Sequence, residues 1–295
     1  MKKLENIKRT LKNFKTLYDI DFELKLETIK KQVTDLNKQI WHQKQMEIEN
    51  NLLLKSLRQD PWLALSKDLH KGGRCFLLGT GPSINKMDLS LLKNEITMGV
   101  NGIFLIDSLK LDYYVSVSHM FWKHHHKTMK NYCCKRRFFP DYLKDALESD
   151  CPTSWLTSIE LPEHKRLQKE SPWFFSYSPD RYIVLGGTVI FVCLQILFYL
   201  GFSEVILLGI DHDYGIAKEK LGPRGLLYST KKLDAHFTDK YYPKDCGKVH
   251  IDIAGSERGY KLANEAFKKA GRSIVNATPG TKLDVFPFVK FSDVI

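Results

Sequence analysis

The chain has 295 residues, 43% of them hydrophobic and 27% charged. That composition suits one large globular domain with an appendage and excludes collagen-like, low-complexity and wholly disordered chains. A formal net charge of +11 favours phosphates, nucleotides, anionic glycans or anionic lipid headgroups without choosing among them; no nucleic-acid-binding motif accompanies it, so no nucleic-acid partner is expected.

Residues 1–60 are rich in Lys, Leu, Glu, Gln and Asn, with no Gly or Pro before Pro61, and read as helix. Ile29, Val33, Leu36 and Ile40 fall at the 4-3-4 spacing of a heptad seam. The seam is short, so residues 1–70 are expected to form a helical arm that packs on its own domain or on a second copy. Met1 to Phe14 is basic but has no apolar run, and no signal peptide is expected there.

From Gly72 the texture changes. Cys75–Leu78 reads as a strand and Gly79-Thr80-Gly81-Pro82-Ser83 as a tight turn. Ile96–Val100 and Tyr113–Val117 read as further strands, ending at Asn101 and at Ser118-His119. Residues 120–180 are mixed and contain the basic run Lys135-Arg136-Arg137. Tyr182–Gly201 carries no charge over the length of a membrane span, but Gly186-Gly187-Thr188 interrupts it. A short buried crossover helix, followed by the strand Val205–Ile210, is the better reading. A helix over Ser256–Ala270 and a strand over Ser273–Asn276 close the pattern. Alternating strands and helices over residues 71–295 predict an α/β fold with a doubly wound, mainly parallel, Rossmann-like sheet.

Six cysteines show neither a C-x-x-C pair nor a disulfide-like framework. Adjacent Cys133 and Cys134 read as reduced thiols, which points to a reducing, cytoplasmic compartment. The basic surface allows peripheral contact with the inner face of the membrane.

Ligands of an open parallel sheet bind beyond the carboxyl ends of its strands. That rule selects the Gly79–Ser83 turn, Asn101, His119 and the run Asp211-His212-Asp213-Tyr214. The turn matches neither G-x-G-x-x-G nor a Walker loop. Its two glycines suggest amides open to a phosphate or ribose. Asp211 and Asp213 have the D-x-D spacing that can hold a divalent ion against a diphosphate, but the spacing is short and common by chance, and no metal site is assigned to it. His124-His125-His126 is too contiguous to share one helical face and reads as solvated surface. His236 and His250 follow the Asp211 strand in a polar stretch, where either could take a proton from an acceptor hydroxyl. Tyr241, Tyr242 and Lys248 lie nearby and could stabilise a departing phosphate.

Several of these pieces together resemble the MptE-like family, in its bacterial, glycosylation-associated branch: LLGTGPSI, MGVN, VILLGIDHDYG, DAHFTDKYYP, KVHID and IVNATPGTKLDVFPFV. That family is named for archaeal 6-hydroxymethylpterin diphosphokinases, and the likeness spans roughly residues 72–292. A more distant resemblance is to the family 42 bacterial sialyltransferases, through the first turn, the Asn after the second strand and the later Gly-Ile-Asp. By that resemblance Gly81, Pro82 and Ser83 line a nucleotide pocket, Asn101 contacts it, and Gly187 and Thr188 approach the donor. The family's aromatic pair is replaced here by His212 and Asp213, with Tyr214 following, and either His236 or His250 takes the place of its histidine. The implied function is a glycosyltransferase joining a nucleotide-activated sugar, a CMP-nonulosonate favoured, to a cell-surface glycan acceptor. The alternatives are an ATP- and Mg²⁺-dependent diphosphotransferase acting on a pterin alcohol, and a non-catalytic partner that binds nucleotide or glycan.

Overall fold

A computed structural model of the chain describes residues 25–40, 42–43, 46, 60–159, 174–214, 226–229, 236–241 and 249–295. The chain divides into two compact units, Met1–Leu57 and Arg58–Ile295. In the first, residues 25–40 are helical, and the seam side chains Ile29, Val33, Leu36 and Ile40 are exposed.

The second unit is built on a seven-stranded sheet. Its elements are α1 (Pro61–Leu65), β1 (Arg74–Leu78), β2 (Thr97–Val100), β3 (Tyr113–Val115), α2 (His119–Asn131), β4 (Arg136–Pro140), α3 (Lys144–Leu147) and β5 (Thr153–Leu156). There follow β6 (Ser158–Ile159), β7 (Ile183–Val184), α4 (Val189–Tyr199), β8 (Glu204–Leu208), β9 (Leu226–Ser229), β10 (Val249–Asp252), α5 (Ile253–Lys269) and β11 (Ser273–Asn276). The strand order is β11-β8-β1-β2-β3-β4-β5, and every pairing in it is parallel. From β1 the chain runs outward to β5, then returns to fill the other side with β8 and β11. The expected doubly wound sheet is therefore present, and its order reverses between β1 and β8.

Parallel strands covered on both faces lose the polar alternation of a half-exposed sheet. In β1, Cys75 and Leu77 face a core made with α4 and α5. Phe76 and Leu78 face a second core, under α2, α3 and the short 3₁₀ turns. The uncharged segment becomes α4, whose eleven residues lie almost wholly inside. Its fully buried Gln195 is satisfied by pairing with backbone: Oε1 accepts from Val184 N at 3.0 Å, and Nε2 donates to Val184 O at 2.8 Å. Among the described residues no helix is long and apolar enough to cross a membrane.

The structure departs from the sequence reading in three places. The described residues of 120–180 hold α2, α3 and two strands of the main sheet, β4 and β5, that hydrophobic patterning does not reveal. The His124–His126 run sits on α2, where His125 stacks on Phe121 with ring centroids 4.4 Å apart. Cys133 and Cys151 are joined as a disulfide, their Cα atoms 5.2 Å apart, so reduced thiols, and the compartment inferred from them, no longer follow from cysteine spacing.

Arg137 explains why the basic run misled. Its side chain is fully buried on β4, and its guanidinium closes the C-terminus of α2. Nη1 donates to Met129 O and Lys130 O, both at 2.9 Å, and to Tyr132 O at 3.2 Å. Nη2 donates to Thr153 Oγ1 at 2.7 Å and Ser149 Oγ at 2.9 Å. The cation thus meets the orphan carbonyls and negative end of a helix. Removing it strands several buried acceptors, each costing about 1–3 kcal/mol. Arg137→Met is expected to lower the unfolding free energy by at least about 3 kcal/mol. Urea denaturation checks this, and an unchanged midpoint would mean that water satisfies the carbonyls.

Candidate functional site

The switch point between β1 and β8 brings the first sequence-selected group together. Beyond the strands the two chains stay paired: Gly79 N donates to Leu208 O at 2.8 Å, and Gly81 N to Gly209 O at 2.9 Å. The Asp211 carboxylate then reaches across, accepting from Ser83 N at 3.1 Å and Ser83 Oγ at 2.7 Å. Burial pushes the Asp211 carboxyl up from its ordinary range, and the Ser83 bonds pull it back. The amides of Gly79, Gly81 and Ser83 are therefore committed to this joint rather than open to a phosphate. Gly81 has an ordinary φ of −70°. It is glycine because a Cβ would run into the Asp211 carboxylate and lie 2.8 Å from Gly209 O. Asp211 has both oxygens engaged, whereas Asp213 is exposed, so the D-x-D spacing does not present two carboxylates poised for one ion. Among the described residues no group of three His, Cys, Asp or Glu side chains converges as metal ligands.

Beside the joint, on the β2 side, Asn101 adopts a left-handed backbone with φ 47°, an uncommon conformation outside glycine. Tyr114 donates to Asn101 O at 2.8 Å, and the buried Ser116 donates to Asn101 Oδ1 at 2.9 Å. With its carbonyl end held from behind, the amide presents its NH₂ group as the donor end.

The segment 236–241 folds over the same edge. Phe237 N donates to Thr80 O at 2.9 Å, and Asn85 Nδ2 donates to Phe237 O at 2.8 Å. His236 Nδ1 lies 3.2 Å from Thr80 Oγ1. Its ring stacks on Tyr241 at 3.5 Å between centroids, with 11° between planes. Tyr241 is itself buried against Phe121 of α2, at 5.1 Å, and against Gly102, where a Cβ would come within 2.7 Å of its ring. His125 Nε2 meets Tyr241 O at 2.7 Å. Burial lowers the pKa of His236 to about 4, with a hydrogen bond to the Thr80 backbone carbonyl opposing it in part. The imidazole is consequently neutral at every pH well above 4.

On the β8 side stand the remaining candidates. Thr188 caps α4, its Oγ1 accepting from Ile190 N at 3.3 Å. Gly187 lies against the start of α5, where Ser256 Oγ donates to Gly187 O at 3.1 Å. His212 has φ 52°, and its Nε2 is 3.4 Å from Glu257 Oε1 on α5. Its ring neighbours are Tyr214 and Tyr260, at 5.6 and 6.0 Å. Burial raises Tyr214 to about 12, so its phenol stays protonated. His250 is placed on β10, paired with Tyr228 of β9, rather than in a loop. Its side chain, like Tyr242 and Lys248, lies outside the described residues.

The structure thus gathers Thr80, Asn101 and His236 on one side of the joint and Thr188, His212 and Tyr214 on the other. Sequence reasoning missed Asn85, Ser116, His125 and Glu257. For His125 a signal existed: Phe121 and His125 are four apart and share one helical face. Gly81→Ala is expected to cost roughly 1–3 kcal/mol by overpacking. In an Asp211→Ala background that penalty is expected to shrink by at least about 0.5 kcal/mol, the signature of coupled neighbours. Denaturation of the four proteins tests this, and strict additivity would refute the collision account.

No family model and no curated protein matches the chain. Among solved structures the chain is similar to that of the sialyltransferase CstII from Campylobacter jejuni in complex with a substrate analogue, cytidine-5'-monophosphate. The two share 13% identity and a TM-score of 0.39 over 74% of this chain and 85% of that one.

Proposed function

We propose that the chain is a glycosyltransferase that moves a sugar from a nucleotide donor, of the CMP type, to a hydroxyl of a cell-surface glycan. The observation that carries this reading is the placement of the half-buried His236 imidazole beside the Gly79–Ser83 turn at the switch point, where ligands of such sheets bind. The donor class comes from the sequence resemblance at Gly81-Pro82-Ser83, Asn101 and Gly187-Thr188. Asn101 would donate its amide to the nucleotide, and Tyr214 would stand as a neutral donor near the leaving phosphate. His236 would take the acceptor's hydroxyl proton while the acceptor oxygen bonds to the anomeric carbon. The bond from that carbon to the phosphate oxygen breaks in the same step, and the electron pair leaves with the nucleotide. Thr80 and Tyr241 would fix the ring's plane for that transfer.

Nucleotides would be compared by thermal shift: CMP, CDP, UDP, GDP and ATP, each with and without Mg²⁺. A ligand at a hundred times its dissociation constant adds about 2.7 kcal/mol of stability, and CMP is expected to give the largest shift. A response to ATP and Mg²⁺ alone would replace this reading with diphosphate transfer. His236→Ala is expected to lower turnover roughly a hundredfold or more with nucleotide affinity unchanged; full activity would remove His236 from the mechanism.

The pH dependence has a definite sign. Between about 4 and 6.5 the unfolded chain protonates this histidine while the folded chain does not. Through that window His236 therefore makes stability rise with pH, an effect absent from His236→Ala. Unfolding measured across the window in both proteins checks it, and parallel profiles would contradict the burial of the ring.

A further inference from the structure

Phe237 and Thr238 border a groove of about 510 Å³. His236, the residue before them, sits beside Thr80 Oγ1. Asn85, whose side chain ties down Phe237 O, also lines the groove.

The chemistry of the lining selects a ligand. Ile84, Leu89 and Phe237 supply apolar surface, and Asn85, Asp88 and Thr238 supply hydrogen-bonding groups. In a protein of net charge +11, the one charged group among the described lining residues is an aspartate. Asp88 Oδ1 is bonded by Ser90 N at 3.1 Å and Ser90 Oγ at 2.6 Å, contacts that favour the carboxylate over the acid. A phosphate or carboxylate ligand would meet repulsion here and find no cation among the described lining residues. An apolar ring face beside a fixed carboxylate and amide suits a neutral polyhydroxyl ring, whose axial C–H groups pack on an aromatic while its hydroxyls donate to the carboxylate. The volume falls within the usual range for a small-molecule site.

We propose that this groove binds a neutral sugar and serves as the acceptor subsite, with Phe237 as its stacking wall and Asp88 as its hydroxyl acceptor. The acceptor role rests on the glycosyltransferase reading; the binding of a neutral sugar does not. A donor over the Gly79–Ser83 turn and an acceptor in the groove would both lie beside the 236–238 segment that carries His236.

Saturation-transfer NMR on the full chain tests the proposal with methyl β-galactoside, methyl β-glucoside, methyl N-acetyl-β-glucosaminide and lactose, and with glucuronic acid as the anionic counterpart. At least one neutral glycoside is expected to bind, with affinity at least tenfold weaker in Phe237→Ala and in Asp88→Ala, and glucuronic acid is expected not to compete. Ser108→Trp, at an exposed rim position that leaves the core untouched, is expected to block binding without changing the melting temperature or the response to CMP. Binding of none of the neutral glycosides, preference for the anionic sugar, or affinity that survives all three substitutions would overturn the proposal. If a glycoside binds as described but no nucleotide does, the groove stands and the glycosyltransferase reading falls.

Discussion

The carboxylate of Asp211 bridging to Ser83 is the constraint on which the carboxyl edge depends. At a switch point the connections after adjacent strands leave toward opposite faces, which normally opens a crevice. Here β1 and β8 stay in register for two residues past the sheet, and the carboxylate stitches the 3₁₀ turn that follows β1 to the end of β8. Gly81 is the steric condition for that stitch, since any side chain there would fall where the carboxylate sits. The turn that results holds Thr80 with its carbonyl and hydroxyl turned toward the 236–241 segment.

That segment is held from two directions. Thr80 and Asn85 bind its backbone at Phe237, while α2 receives Tyr241 against Phe121 and bonds its carbonyl through His125. The position of α2 depends in turn on Arg137, which gathers the carbonyls at its C-terminal end from the adjacent strand. A buried arginine remote from the edge is thereby coupled to the placement of His236 through one rigid helix. Arginine suits the task because its planar fork reaches several acceptors at once, which a lysine ammonium on a flexible stem does not reproduce.

The fold was legible where the physics is local. β1, β2, β8 and β11 are short apolar runs ended by Gly or Asn, and their carboxyl ends marked the edge correctly. Residues 120–180 were not legible, because their periodic signal is carried by atypical residues. β4 reads Arg-Arg-Phe-Phe-Pro, and its buried arginine looks like surface until the acceptors around it are known. α2 buries Phe121 and Met129 and half-buries His125 at a spacing of four, but the neighbouring histidines mask the stripe. At the site, Thr80, Asn101 and Asp211 were selected by their positions at strand ends. Their actual bonds could not be read from position, since Ser83 and Asp211 are 128 residues apart. The same holds for His250, whose polar neighbourhood in sequence conceals a β-hairpin.

Burial acts on His236 against its charged form, and a hydrogen bond with the Thr80 backbone opposes it in part. Removing an imidazole from water disfavours its cationic form. A ring with a pKa of about 4 is a weak proton acceptor, which by itself argues against a base operating near neutrality. On the proposed reading, an anionic nucleotide bound beside it would oppose the effect of burial, because a phosphate within a few ångströms stabilises the imidazolium. Binding and protonation are then linked reciprocally: whatever factor the nucleotide adds to the ring's basicity, protonation adds to nucleotide affinity. On the proposed reading, the ring becomes a competent base only when the donor is in place, and an empty site does not hold a charged imidazole that would bind stray anions. The stack on Tyr241 and the contact with Thr80 hold the ring's orientation, so on the proposed reading the nucleotide has only to change its charge preference and not its position.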